Sequence, residues 1–184
     1  PEGSWDYAIA LAGNPNTGKS TVFNGLTGLR QHTGNWPGKT VTRAEGLYEH
    51  EGKNYKLVDL PGTYSLLSAS QDEEIARNFI LFGQPDCTVV ITDATVLERN
   101  LNLVLQVLEI SEKVIVCLNC IDEAERKGIE INVALLEEEL GVPVVATAAS
   151  SKRGLEELRG KIGLVVQGKI ATKPRRAKDN TEWS

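Results

Sequence analysis

The stretch Gly13-Asn14-Pro15-Asn16-Thr17-Gly18-Lys19-Ser20 is a complete GxxxxGK[ST] loop, and its reading decides the fold. An apolar run at 8–12 (AIALA) leads into it and a helix is expected to start near Lys19, so the loop sits at a strand-to-helix junction. Gly13 and Gly18 let the backbone curl until successive N–H groups face phosphate oxygens. The positive end of the following helix adds to that field. Lys19 supplies a mobile cation for the β and γ phosphates, and the Ser20 hydroxyl is a magnesium ligand. Asn14, Asn16, Thr17, Gly18 and Thr21 complete the set expected to contact a nucleotide from this loop.

Three segments downstream extend the reading. Residues 57–62 (LVDLPG) are an apolar strand ending in DxxG. Alone this is a common turn, but in a strand beside the first Asp59 can hold a magnesium-bound water and the Gly62 N–H can face the γ-phosphate. The strand at 114–118 runs into Asn119-Cys120-Ile121-Asp122, an NxxD motif. A carboxylate only accepts hydrogen bonds, so Asp122 suits the paired N1–H and exocyclic amine donors of guanine. Adenine lacks that pair, and a buried carboxylate left unpaired costs about 1–3 kcal/mol or more. Asn119 is placed to brace the phosphate loop and reach the base, while Cys120 is expected to point away. Residues 147–150 (TAAS) close the last strand, where a small residue lets a backbone N–H, that of Ala149, approach the guanine carbonyl, with Ser150 beside it.

Apolar runs at 8–12, 56–59, 88–93, 114–119 and 142–147 read as buried strands alternating with helices near Lys19, Asp72 (after Ser70), Leu101, Val133 (between an Asn132 N-cap and a Gly141 C-cap) and Gly154. Residues 40–48 alternate loosely and precede Glu51-Gly52, a hairpin turn into Tyr55. The expected fold is therefore α/β, a Ras-like P-loop fold with a mostly parallel six-stranded sheet, one antiparallel strand, and helices on both faces. Residues 1–167 form the nucleotide-binding domain, and 168–184 read as a basic tail or linker leaving it.

The motifs in this order resemble the translation-factor-related GTPases. A more particular resemblance, over roughly residues 6–166, is to the N-terminal GTPase domain of the ferrous iron transport protein B (FeoB) family. It is carried by GNPNTGKST (13–21), HTGNWPGKTV (32–41), DLPGTYSL (59–66), DATVLERNLNLVLQVLE (93–109), LNCIDEAERKGI (118–129) and LGVPVV (140–145). The resemblance implies a magnesium-dependent GTPase that acts as a switch regulating ferrous iron transport across the bacterial inner membrane; slow turnover is expected from Thr63, which is no water-positioning side chain. It implies that Thr40 gives its hydroxyl to magnesium and its N–H to the γ-phosphate, and that Asn16 coordinates potassium, with switch carbonyls around 34–38 completing the shell. Lys19, Thr40, Gly62 and Asn16 are thus the expected catalytic set, and Ser20, Thr40 and Asp59 (the last through water) the magnesium set. Thr63 follows DxxG where Ras-like enzymes place a water-orienting Gln, and Ala148 replaces a frequent Ser. The implied partners are guanine nucleotide and the helical regulatory and transmembrane parts of a longer chain; a homo-oligomer is compatible.

The rest of the sequence sets bounds. The 184 residues carry 41% hydrophobic and 24% charged residues, ordinary for a packed domain. A net charge of -5 with pI near 5.2 argues against a nucleic-acid surface. That weighs against the alternative of a ribosome- or RNA-associated GTPase, as NCID weighs against a P-loop kinase. Cys87, Cys117 and Cys120 form no disulfide or metal pattern, which fits a reducing, cytosol-facing setting. No apolar run approaches the roughly 20 residues that cross a bilayer, and residues 1–6 lack a signal-peptide pattern. His32 and His50 are too far apart in sequence to suggest zinc. Trp36 is either exposed in a mobile switch loop or packed locally, Asp93 caps the turn after its strand, and Glu73 and Glu74 start a helix. Lys169, Lys173, Arg175, Arg176 and Lys178 read as a solvated linker rather than a membrane-binding patch.

Overall fold

The hydrophobic pattern becomes a twisted sheet in the computed structural model, which describes residues 4–28 and 30–176. Among the described residues the strands are β1 (Tyr7–Gly13), β2 (Gln31–Asn35), β3 (Thr42–His50), β4 (Lys53–Asp59), β5 (Cys87–Asp93), β6 (Val114–Asn119) and β7 (Val144–Ala146). Their spatial order is β2-β3-β4-β1-β5-β6-β7. β1 pairs in parallel with β4 and β5, and β6 in parallel with β5 and β7. β3 runs antiparallel to both of its neighbours. The mostly parallel sheet with one antiparallel strand is as expected, and β2 is a seventh strand added at its edge. All five β2 residues are exposed, so QHTGN carries no apolar alternation to announce a strand. The β3–β4 hairpin turns through Glu51 and Gly52, both at positive φ (49° and 80°).

Among the described residues six helices flank the sheet: α1 (Lys19–Thr27), α2 (Gln71–Phe82), α3 (Leu97–Ile110), α4 (Ile121–Arg126), α5 (Val133–Leu140) and α6 (Leu155–Val166). α1 and α6 pack on one face, where Leu26, Leu158 and Ile162 meet Ile9, Leu57 and Ile91. α2, α3, α4 and α5 cover the other around Val58, Val90 and Val116. The alternating rows of β1 and β5 serve both cores, which explains their continuous burial. The helix ends follow the sequence signals. Ser70 caps α2 by accepting from Glu73 N–H (3.3 Å), and Asn132 caps α5 by accepting from Leu135 N–H (3.0 Å). Asp93 accepts from Thr95 N–H (2.8 Å) and caps the single 3-10 turn before α3.

Residues 172–176 run back along the domain. Lys173 N–H donates to Gly141 O (2.9 Å), Arg175 N–H to Leu140 O (3.0 Å), and the Thr172 hydroxyl to Glu112 O (2.8 Å). Arg176 donates to Leu108 O (2.7 Å) and Ser111 O (3.2 Å), satisfying carbonyls at the C-terminal end of α3. Lys178 and the rest of 177–184 lie outside the described residues, as do 1–3. No helix among the described residues is long and apolar enough to cross a membrane.

Candidate nucleotide site

Parallel α/β sheets present their ligand sites beyond the carboxyl ends of the strands. Here the loops after β1, β4, β6 and β7 meet at that end, and each carries one of the expected motifs.

The loop after β1 packs against the β4 loop on one side and the β6 loop on the other. Thr63 N–H donates to Gly13 O (3.0 Å), and the Gly62 backbone lies so close to Pro15 that a Cβ on Gly62 would stand 3.4 Å from Pro15 N. Gly18 has φ +83°, and a Cβ there would stand 2.3 Å from Asn119 Nδ2, so both conformation and space demand glycine. Lys19 is half-buried. Its ammonium pairs with the Asp59 carboxylate and donates to Leu60 O (2.8 Å), joining the phosphate loop to DxxG. Asn14, Pro15, Asn16, Gly18, Lys19, Ser20 and Gly62 together line an open cavity of about 440 Å³. Asn16 is exposed with φ 67°. Asn14 is buried, and its Oδ1 has no hydrogen-bond partner among the described residues.

A second cavity, of about 170 Å³, adjoins the first and shares Gly18 with it. Thr21, Asn119, Asp122, Ala149 and Ser150 line it, as do Cys120, Glu123 and Arg126. Asn119, 3% exposed, holds three loops together. Its Nδ2 donates to Thr17 O (3.0 Å), and its Oδ1 accepts from the Thr147 hydroxyl (2.9 Å) and from Ala149 N–H (3.0 Å). The Ala149 N–H expected to face a base is thus engaged by Asn119 in this structure. Asp122 begins α4, where one carboxylate oxygen accepts from Glu123 N–H (2.9 Å) and the other lies 3.6 Å from Arg126 Nη1. Cys120 does not point away from the site as expected. It adopts φ 63° at the start of α4 and lines the cavity, because the strand must turn sharply to aim Asp122. Burial, with help from Asp93, Glu123 and Asp122, pushes its thiol up to about 11, so it is protonated and unreactive at neutral pH. Desolvation pushes Cys117 up to about 12.

The segment holding Thr40 forms the tip between β2 and β3, closed by Trp36 N–H to Val41 O (3.0 Å). Thr40 is exposed and is not among the residues that line the phosphate cavity. Trp36 is buried, edge-on to Phe79 of α2 (ring centroids 5.7 Å apart), with the Arg43 guanidinium 4.5 Å above its ring. Of the expected residues, then, Asn14, Asn16, Gly18, Lys19, Ser20 and Gly62 share the first cavity, with Asp59 held at Lys19. Thr21, Asn119, Asp122, Ala149 and Ser150 share the second, with Thr17 tied to Asn119. Thr40 stands apart. Sequence reasoning missed Arg126 and Glu123, whose position one turn or less beyond Asp122 on a helix was the available signal.

Comparison with known proteins identifies the family. The family profile described as Ferrous iron transport protein B matches residues 7–162. The Fe(2+) transporter FeoB of Salmonella typhimurium is 46% identical over 178 residues, covering 95% of this chain and 22% of that protein. The chain therefore spans about a fifth of the length of the curated relatives it matches. The crystal structure of the G domain of the T. maritima FeoB iron transporter superposes with a TM-score of 0.83 at 44% identity, covering 88% of this chain and 99% of that one. The cytosolic domain of T. maritima FeoB, solved in apo, GDP and GMPPNP forms, gives in a GDP form a TM-score of 0.87 at 43% identity, covering 94% of this chain and 68% of that one. The chain belongs to the ferrous iron transport protein B family and corresponds to its G domain.

Proposed function

We propose that this chain binds GTP with magnesium and hydrolyses it slowly, as the switch domain of a longer inner-membrane protein that transports ferrous iron. The observation that carries the reading is the pair of cavities sharing Gly18, one lined by the glycine-bearing loop and Lys19, the other by Asp122 with its acceptor-only carboxylate. Their contact at one glycine matches a molecule with phosphates at one end and a guanine base at the other. The GDP and GMPPNP forms of the T. maritima relative support it.

Ser20 and Asp59 offer a hydroxyl and a carboxylate, the oxygen donors a small hard cation takes, and the orphaned Asn14 Oδ1 is a further acceptor on the buried side of the loop. Magnesium there would offset charge on the phosphates. Asn16 presents an exposed amide on the phosphate cavity, and its oxygen suits a potassium ion that would add positive charge where transition-state charge develops. When the phosphates arrive, the Lys19 ammonium exchanges its partners Asp59 and Leu60 O for phosphate oxygens. Asp59, freed from Lys19, would then be placed to hold a magnesium-bound water. Thr40 reaches the site only if the β2–β3 tip closes over it, so the γ-phosphate would act by recruiting this segment, and hydrolysis by releasing it.

Calorimetry with GTP, GDP and ATP in magnesium tests the binding half. A clear guanine preference is expected, and equal affinity for adenine nucleotides refutes the assignment. Single-turnover hydrolysis in potassium against sodium tests the other half; equal rates remove the ion from Asn16.

A further inference from the structure

Two loops would grip the base, and they come from different strands: 119–122 after β6 and 147–150 after β7. At the floor of the cavity they are tied by Asn119 and by Ile121 N–H donating to Thr147 O (3.0 Å). A further tie joins the two segments outside the cavity lining. Arg153 sends Nη1 and Nη2 to the two carboxylate oxygens of Glu125, both at 2.9 Å. We propose that this Glu125–Arg153 clamp sets the spacing of the two base-recognition loops and thereby governs how fast the nucleotide leaves, an inference that rests on the guanine-site reading above.

The two residues are placed for this role by their backbones. Arg153 closes the 148–153 loop through its own main chain, exchanging hydrogen bonds with Ala148 (Ala148 N–H to Arg153 O 2.9 Å, Arg153 N–H to Ala148 O 3.1 Å). The loop is stiffened on either side by positive φ at Lys152 (64°) and Gly154 (83°). A side chain at Gly154 would stand 2.3 Å from Ala146 O, so the chain has little room to shift there. Glu125 sits on α4 three positions after Asp122, one helical turn away. Pulling on Glu125 therefore turns the helix that carries the base-reading carboxylate. Neither Glu125 nor Arg153 lines the cavity, so both act through Asp122 and Ala149 as positioning residues.

The chemistry distinguishes this pair from an ordinary surface contact. Two parallel N–H···O bonds fix distance and orientation together, which a single-point lysine pair does not. Arg153 holds the Glu125 carboxyl below the usual carboxylate range. Both side chains are about half exposed, so the clamp weakens with salt, and its contribution is modest. A two- to five-fold change in release rate, on the order of what exposed pairs contribute, is the expected scale.

The test is a stopped-flow chase of fluorescent GDP from the whole chain, for wild type, Glu125→Gln, Arg153→Gln and the reversed pair Glu125→Arg with Arg153→Glu. Each single variant should release nucleotide about two- to five-fold faster, with the unfolding midpoint of the nucleotide-free protein falling by no more than the small amount one exposed ion pair contributes. The reversed pair should return toward the wild-type rate, and high salt should speed wild type but not Glu125→Gln. Wild type that binds fluorescent GDP while both single variants release it at the wild-type rate overturns the clamp alone. Faster release accompanied by a fall in the midpoint larger than one exposed ion pair accounts for marks general loosening and also overturns it. Wild type that fails to bind fluorescent GDP overturns the guanine-site reading and the clamp with it.

Discussion

Truncating Asn119 to alanine should loosen the whole site before any ligand is added. The side chain makes three hydrogen bonds, to Thr17 O, from the Thr147 hydroxyl and from Ala149 N–H, at 2.9–3.0 Å. Its partners are themselves 0–4% exposed. Leaving a buried polar group unsatisfied costs about 1–3 kcal/mol, and three such groups at the lower half of that range give about 3–6 kcal/mol. That is a large share of the roughly 5–15 kcal/mol that holds a typical domain together. With a urea slope of about 2 kcal/mol per molar, the midpoint should fall by about 1.5–3 M. Urea unfolding of the nucleotide-free variant measures it, and amide exchange at Ala149 should quicken in step. A fall of less than about 0.5 M, no more than the minimum cost of a single unpaired group, would show that the three loops are held by something other than this amide.

Two other changes probe the base site and a helix cap. Asp122→Asn should weaken GTP on the order of a hundredfold by removing two charge-assisted acceptors, and should shift preference toward xanthosine triphosphate, whose carbonyl an amide can meet as donor. Competition binding with the two nucleotides reads this directly; an unchanged base preference rejects the role of Asp122. Glu73 is held below the ordinary carboxylate range chiefly by the Ser68 hydroxyl, and also by Ser68 N–H and Ser70. A carboxyl depressed in the folded state stabilises above its unfolded pKa and loses that contribution as pH falls through the folded value. Glu73→Gln should therefore fray the first turn of α2 at pH 7 relative to wild type, with the gap closing below the carboxylate range; a gap that persists in acid rules out the charge as its source.

Much of this was legible because backbone geometry and side-chain chemistry demanded the same residues. Gly18 had to be glycine both for its φ and for the approach of Asn119, so the loop announced itself. The buried strands β1, β5 and β6 carry unbroken apolar runs, and Ser70, Asn132 and Gly141 mark helix ends by their caps. What stayed hidden lacked a periodic signal. β2 is polar and wholly exposed, and α4, with six residues, is too short to show amphipathic repetition. The burial of Trp36 depends on Phe79 and Arg43, both remote or on another element, and no local pattern encodes that meeting. The return of residues 172–176 is written in main-chain bonds to Leu140 and Gly141, which composition cannot reveal, so a basic stretch reads as a departing linker.

The edge strand has a mechanical consequence. β2 buries nothing along its length and is pinned near its ends, by the Gln31 amide on Asn24, Thr27 and Gly28 and by Trp36 in its aromatic slot. Peeling it from β3 breaks a short ladder and exposes no core, whereas moving β1, β4 or β5 would open both faces of the sheet. A chain so arranged behaves like a zip fastener on a rigid box. The portion free to travel is the one whose detachment leaves the container sealed, and the two end pins decide how often it runs.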